Sequence, residues 1–163
     1  MTETDIQNIQ SFLTGTSHTS YDYFGIHESE DKFTFRVFAP KATKVMLTGD
    51  FNEWRDDILL EKIDDSGVWQ VDIPSYRINY GNRYKYRIYG CGQLYYKSDP
   101  YAASISEIPD SSSIIRKADA YKWRDDSWIS YRAQYQKNIV AKPINIYEVH
   151  LGSWKNNVRG SVL

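Results

Sequence analysis

From Lys32 to Gly90 the apolar residues recur at every second position, and few architectures can use that pattern. In "KFTFRVFAP", Phe33, Phe35 and Val37 share one face before Pro40 ends the run. In "KVMLTGDF", Val45 and Leu47 alternate with Met46 and Thr48, and in "GVWQVDIP" Trp69, Val71 and Ile73 line one face. In "RYKYRIYG", Tyr84, Tyr86 and Ile88 point one way and Arg83, Lys85 and Arg87 the other. Turn-forming stretches separate the runs: "DDSG" at 64–67, "NYGN" at 79–82 and "GCG" at 90–92. Weaker strands are expected in "GQLYYKS" and "SSIIRK". Short strands at this spacing predict an all-β fold, an immunoglobulin-like antiparallel sandwich. Trp69 is assigned to its core.

The flanks read differently. Residues 3–14, "ETDIQNIQSFLT", place Ile6, Ile9 and Leu13 at helical spacing with Phe12 nearby, and Gly15 is a plausible stop. Residues 119–142 mix Trp, Tyr and charge without a clean period, which suggests a linker lying across the sandwich and pinned by Trp123 and Trp128. "NIYEVHLGSW", from Asn145, is a near-continuous apolar run with β-branched and aromatic residues, as strands buried on both sides require.

Composition narrows the function classes. A chain of 163 residues suits one domain, or one domain and a fragment, and can bury roughly two thirds of its unfolded surface. The formal net charge of -1 argues against a nucleic-acid partner, which would need a basic face. Cys91 is the one cysteine, so no internal disulfide forms. With no signal-type apolar region near Met1 and no long apolar run, a soluble cytoplasmic chain without membrane contact is expected. Aromatics reach 15%, with 14 Tyr and 5 Trp. Their flat apolar faces and polar edges suit sheets, and they also suit sugar rings.

No complete active site is visible. Glycoside chemistry typically sets two carboxylates across a cleft. The adjacent pairs here, Asp56–Asp57, Asp64–Asp65 and Asp125–Asp126, all lie in turn-like stretches. His18, His27 and His150 lack metal-ligand spacing, and there is no cysteine cluster, phosphate-binding glycine loop or GxSxG. No catalytic residue, metal or cofactor is therefore assigned.

Binding residues are better marked. In "GDFNEW", Gly49 would permit an unusual backbone angle, while Asp50 and Asn52 suit a turn. Phe51 can then tuck inward and leave Trp54 near the surface, where it either stacks on a sugar or covers the end of the sandwich. Lys85, on the non-core face, can donate to hydroxyls or stay solvated, and one of Tyr95 and Tyr96 should face out.

Taken in order, "GDFNEW", "GVWQVDIP", "NRYKYRIYG", "KSDPYA", "YKWRDDSW" and "PINIYEVHLGSW" resemble the N-terminal part of bacterial 1,4-α-glucan (glycogen) branching enzymes. "FLTGTSHTSYDYFGIHE" resembles their lead-in, so the likeness runs over about residues 12–154. It implies a helical lead-in at 1–27, a family-48 carbohydrate-binding module at 28–118, a linker packed on it at 119–142, and the start of a (β/α)8 barrel at 143–163. Seven further barrel strands would need about 200 or more additional residues. The enzymes it resembles are retaining transglycosylases that pass α-1,4-glucan segments to a 6-hydroxyl in glycogen biosynthesis. Their aspartate nucleophile and glutamate acid/base lie on later barrel strands, so no catalytic residue carries over and this chain alone is expected to be inactive. Glycogen-binding sandwiches stack glucose on the Trp of "FNxW", assisted by a Lys and by an aromatic before "DP". The matching residues are Trp54, Lys85 and Tyr96, the last a tyrosine where the kinase-type module has tryptophan. The implied partners are α-glucan (glycogen, amylose) and the catalytic barrel. Two rival readings are a free-standing glycogen-binding module and a sandwich that docks a separately encoded barrel.

Overall fold

The computed structural model describes residues 2–117, 122–137, 139–141, 143 and 145–150. The chain divides into two compact units, Met1–Asp119 and Ala120–Leu163.

The first unit is a sandwich of two antiparallel sheets preceded by a helix. Helix α1 (Glu3–Leu13) begins at a capping box, in which Thr2 and Asp5 each satisfy the other's backbone N–H. One sheet comprises β1 (Gly25–Glu28), β2 (Lys32–Phe38), β5 (Glu61–Ile63) and β6 (Val68–Pro74), in the order β1-β2-β6-β5. The other comprises β3 (Ala42–Gly49), β4 (Ile58–Leu59), β7 (Arg83–Gly90), β8 (Gln93–Lys97) and β9 (Ser113–Ile114), in the order β4-β3-β7-β8. β8 covers one edge of β7 from Tyr86 to Gly90, and β9 takes over that edge at Arg83 and Tyr84.

The period-two residues meet between the sheets. Phe33, Phe35 and Val37 from β2, Val45 and Leu47 from β3, Trp69 and Ile73 from β6, and Tyr84 and Tyr86 from β7 are all buried in one core. Trp69 donates its indole N–H to the Ala39 carbonyl at 3.0 Å. Tyr84 and Tyr86 donate their hydroxyls to Oδ2 of Asp99, at 2.8 and 3.3 Å. Asp99 is 2% exposed, and burial pushes its pKa up against the hydrogen bonds it accepts.

The lead-in is not a separate appendage. Ile9, Tyr23, Phe24 and Val68 form a second cluster with Phe12, Phe38, Ile63 and Tyr101 packed against it. Phe12 meets Phe24 at 4.5 Å between ring centroids and Phe38 at 5.1 Å. Residues 25–27, the end of the expected lead-in, pair in register with Thr34–Arg36 and so belong to the first sheet.

In the second unit, helix α2 (Asp126–Gln136) replaces the unpatterned linker expected there. Its apolar residues do not gather on one buried face, and none is buried, which is why no helical period is readable. Trp128, Tyr131 and Tyr135 run along it with centroids 5.8 and 5.9 Å apart. Trp123 and Trp128 are both exposed. The expected barrel strand begins in residues 145–150, which have no regular structure, and the rest of that segment lies outside the described residues. A strand buried on both faces draws its backbone bonds from neighbours on each side, and no strand pairs with 145–150 among the described residues. Among those residues, no helix is long and apolar enough to cross a membrane.

Candidate functional site

β3 ends at Gly49, whose φ of -178 is ordinary extended backbone. The unusual angle expected there lies elsewhere: Glu53 and Trp54 hold positive φ of 54 and 60. Gly49 is needed for proximity instead, because a Cβ at that position would stand 2.4 Å from the Arg83 carbonyl oxygen. The turn it opens, Asp50–Asn52, is held by Asn52, which is 2% exposed. The Asn52 side chain accepts from the Gly49 N–H at 2.9 Å and donates to the Arg55 carbonyl and to Asp57 Oδ1, each at 2.8 Å. Phe51 tucks inward against the core, as expected.

Trp54 is half-buried at the sandwich surface. Its backbone N–H reaches the Gly49 carbonyl at 2.9 Å, and its indole N–H reaches Asp50 Oδ1 at 2.9 Å. The Arg83 guanidinium lies 5.7 Å from the ring centroid, so a stacking partner must use the opposite face. Arg83 also binds Asp50, through Nη2 at 3.1 Å and Nε at 3.2 Å. Burial pushes the Asp50 carboxyl up, but the hydrogen bonds from Arg83 and Trp54 outweigh it and hold the pKa below its ordinary value.

Lys85 projects from the same face of β7 as Arg83 and Arg87. Its ammonium donates to both the carbonyl and the carboxylate of Asp110, the carboxylate oxygen Oδ1 at 3.4 Å. Arg87 pairs with Asp56 and lies over the Tyr96 ring at 4.6 Å from its centroid. Tyr96 stands opposite Arg87 across β7 and β8 and is 56% exposed, while Tyr95 stands opposite the core-facing Ile88.

Trp54, Lys85 and Tyr96 therefore occupy one face. Trp54 lies at the Arg83 end and Tyr96 at the Arg87 end of a cationic row about 13 Å long, four residues of extended chain. Alternation alone placed Arg83 and Arg87 on this face. Asp50 carried only a turn signal, and Asp110, a loop acid, carried none.

Three of the acids from the adjacent pairs have partners of their own. Asp56 pairs with Arg87, Asp57 holds Asn52, and Asp65 takes Lys62 at 3.0 Å. Asp64 sits in a turn with φ 47, and Asp125 precedes α2 as its N-cap residue. Among the described residues, no group of three or more His, Cys, Asp or Glu could hold a metal ion. His27 Nε2 lies 3.0 Å from the Phe24 carbonyl oxygen, within the chain's own packing.

The chain also resembles known proteins. Residues 23–102 match the family model of carbohydrate-binding module 48 (Isoamylase N-terminal domain). Over 153 residues the chain is 40% identical to the 1,4-alpha-glucan branching enzyme GlgB of Fusobacterium nucleatum, covering 92% of this chain and 24% of that protein. Over 159 residues it is 35% identical to the 1,4-alpha-glucan branching enzyme GlgB of Bacillus subtilis, covering 94% and 25%. The chain thus spans about a quarter of the length of the curated relatives it matches. Among solved structures, the type I pullulanase of Bacillus subtilis, complexed with maltose, shares the fold with a TM-score of 0.52 at 18% identity, over 66% of this chain and 15% of that one. Ligand-free PulA of Klebsiella pneumoniae matches with a TM-score of 0.50 at 25% identity, over 60% and 10%.

Proposed function

Residues 23–102 belong to the carbohydrate-binding module 48 family, and on that footing we propose that this chain is the amino-terminal, non-catalytic part of a glycogen branching enzyme that binds α-glucan on the outer face of its second sheet. The parent activity in this reading is transfer of α-1,4-glucan segments to form α-1,6 branches. The reading takes the residues from 143 onward as the start of a catalytic (β/α)8 barrel and places the protein in the cytoplasm, where the exposed thiol of Cys91 stays reduced.

One observation carries the binding claim: two aromatic rings bracket a row of positive side chains on one sheet face. Trp54 is locked by its own hydrogen bond to Asp50, and Tyr96 is braced from beneath by Arg87. A ring fixed in advance loses little freedom when a sugar stacks on it. Between them, Lys85 supplies a donor for hydroxyls. In this reading the carboxylates that glycosyl transfer requires belong to the rest of the parent enzyme; of the acids considered above, Asp56 pairs with Arg87, Asp57 with Asn52 and Asp65 with Lys62.

Co-sedimentation with glycogen tests the binding claim. The unmodified chain should pellet with glycogen, and Trp54→Ala should weaken binding roughly two- to tenfold, as expected for loss of a stacking contact worth about 0.5–1.5 kcal/mol. An unmodified chain that stays in the supernatant refutes it. Incubation with amylose and iodine tests the other half: the colour should hold, and a fall that reports new branch points would show that the chain is catalytic.

A further inference from the structure

The outer face contains one carboxylate to which no role has been given. Asp110 belongs to the loop at 98–112 that joins β8 to β9. The loop is internally tied: the Ser106 N–H donates to the Ser112 carbonyl at 2.8 Å, the Ser112 N–H to Ser106 Oγ at 2.8 Å, and the Ser111 N–H to the Glu107 carbonyl at 3.2 Å. Ser106 Oγ in turn donates to Asp110 Oδ2 at 2.8 Å. The carboxylate is thus held in place beside Lys85, 3.4 Å from its ammonium, with Arg83 Nη1 3.8 Å from Oδ2.

Counting donors and acceptors shows what is left over. An ammonium has three N–H groups, and Asp110 takes two of them through its carbonyl and its carboxylate. A carboxylate offers about four lone-pair positions, and Ser106, Lys85 and Arg83 fill at most three. The Asp110 side chain is 42% exposed, against 19% for Lys85, so the acceptor is the more open of the two. One donor and one acceptor remain side by side. Asp50 differs, because Arg83 and the Trp54 indole occupy both of its oxygens. Asp56 differs too, because its partner Arg87 lies beneath Tyr96.

Adjacent hydroxyls on a sugar ring match such a pair, one donating and its neighbour accepting. Within an α-1,4-glucan the free vicinal pair on each internal glucose is O2 and O3. We infer that Asp110 is a glucan-contacting residue, accepting from one hydroxyl of a vicinal diol while Lys85 donates to the other. The inference rests on the glucan-binding reading above. The nearby Ser112 and Ser106 side chains, of which only Ser106 lies within hydrogen-bonding distance, and then the Lys85 ammonium bring the Asp110 carboxyl down to about 2, so it is an ionised acceptor throughout the neutral range.

The test is calorimetric titration of the whole chain with maltotriose and with its analogues deoxygenated at C2 or C3 of the middle glucose. The unmodified chain should bind at least one analogue about tenfold more weakly, because a polar site left facing a missing hydroxyl discriminates. Asp110→Asn should weaken maltotriose by a similar factor and shrink the penalty for that analogue below twofold. Asp110→Asn that leaves maltotriose affinity unchanged overturns the inference. So does equal weakening of maltotriose and both analogues, which would make Asp110 only a positioning residue for Lys85. The comparison is a ratio between ligands on the same folded chain, so a loss of stability cannot imitate it. If the unmodified chain binds no maltotriose, and Trp54→Ala matches it, the glucan reading itself falls and takes this inference with it.

Discussion

The Tyr84 hydroxyl donates to Oδ2 of the buried Asp99 at 2.8 Å. Tyr86 reaches the same oxygen at 3.3 Å, while the Tyr101 N–H occupies Oδ1 at 2.8 Å. A buried carboxylate is tolerable only when its lone pairs are met in this way. Tyr84→Phe should therefore cost about 1.5–3 kcal/mol, the range for hydrogen bonds to charged groups, and Tyr86→Phe less because its bond is longer. Urea unfolding of both variants checks the order; equal losses would show that the two phenols share the load.

Asn52→Ala should destabilise by about 2–3 kcal/mol, since it deprives the buried Gly49 N–H of its acceptor and the Arg55 carbonyl of its donor. It should also weaken glycogen binding, by up to the same factor as Trp54→Ala, because the turn that presents Trp54 in a positive-φ conformation depends on it. Retention of binding at full strength would separate the Trp54 platform from this network.

Gly49→Ala should cost about 1–3 kcal/mol through crowding, because the new Cβ would meet the Arg83 carbonyl at 2.4 Å. The β3–β7 pairing should give way locally, which faster amide exchange at Arg83 and Tyr84 would report.

Thr48→Val should stabilise the sandwich by about 1 kcal/mol. Thr48 is 1% exposed, and among the described residues its hydroxyl has no hydrogen-bond partner, so a methyl in its place relieves an unmet polar group. A lower urea midpoint would mean that the hydroxyl is satisfied after all.

The pH dependence combines two opposed effects. Asp110, at about 2, and Asp5, Asp50 and Asp72, all held below the ordinary 3.8, stabilise the folded chain above that value and lose the contribution as pH falls through their folded pKa values. Asp99, pushed up by burial, acts in the reverse sense: it favours the folded state in acid and loses that contribution as pH rises from 3.8. Asp110→Asn should consequently flatten the decline in stability between about pH 4 and 2 while leaving its shape unchanged above about pH 5. Urea midpoints over that range decide it.

The main strands were readable because one buried face imposes a period of two on every strand that contributes to it. β4, with two residues, and β5, with three, are too short to display any period. Helix α2 buries no side chain, so no apolar stripe betrays it. Gly49 shows a subtler limit. A glycine announces that something is special about the backbone, but not whether the cause is torsion or crowding, and only the neighbouring strand reveals the second. Local pattern puts Lys85 on the non-core face and leaves Tyr95 and Tyr96 open; the grouping of Trp54, Lys85 and Tyr96 comes from the family resemblance. Asp110 could not be read from local pattern, because its meaning comes from a lysine 25 positions earlier in the chain.

β7 carries Tyr84 and Tyr86 inward and Arg83, Lys85 and Arg87 outward, in strict alternation. A slip of one residue against β3 would exchange the two sets, driving three cations into the core and lifting two tyrosines out of it. Correct strand alignment and the outward row of cations are therefore one event in this molecule, and a misaligned chain cannot persist as a folded molecule that merely lacks that row.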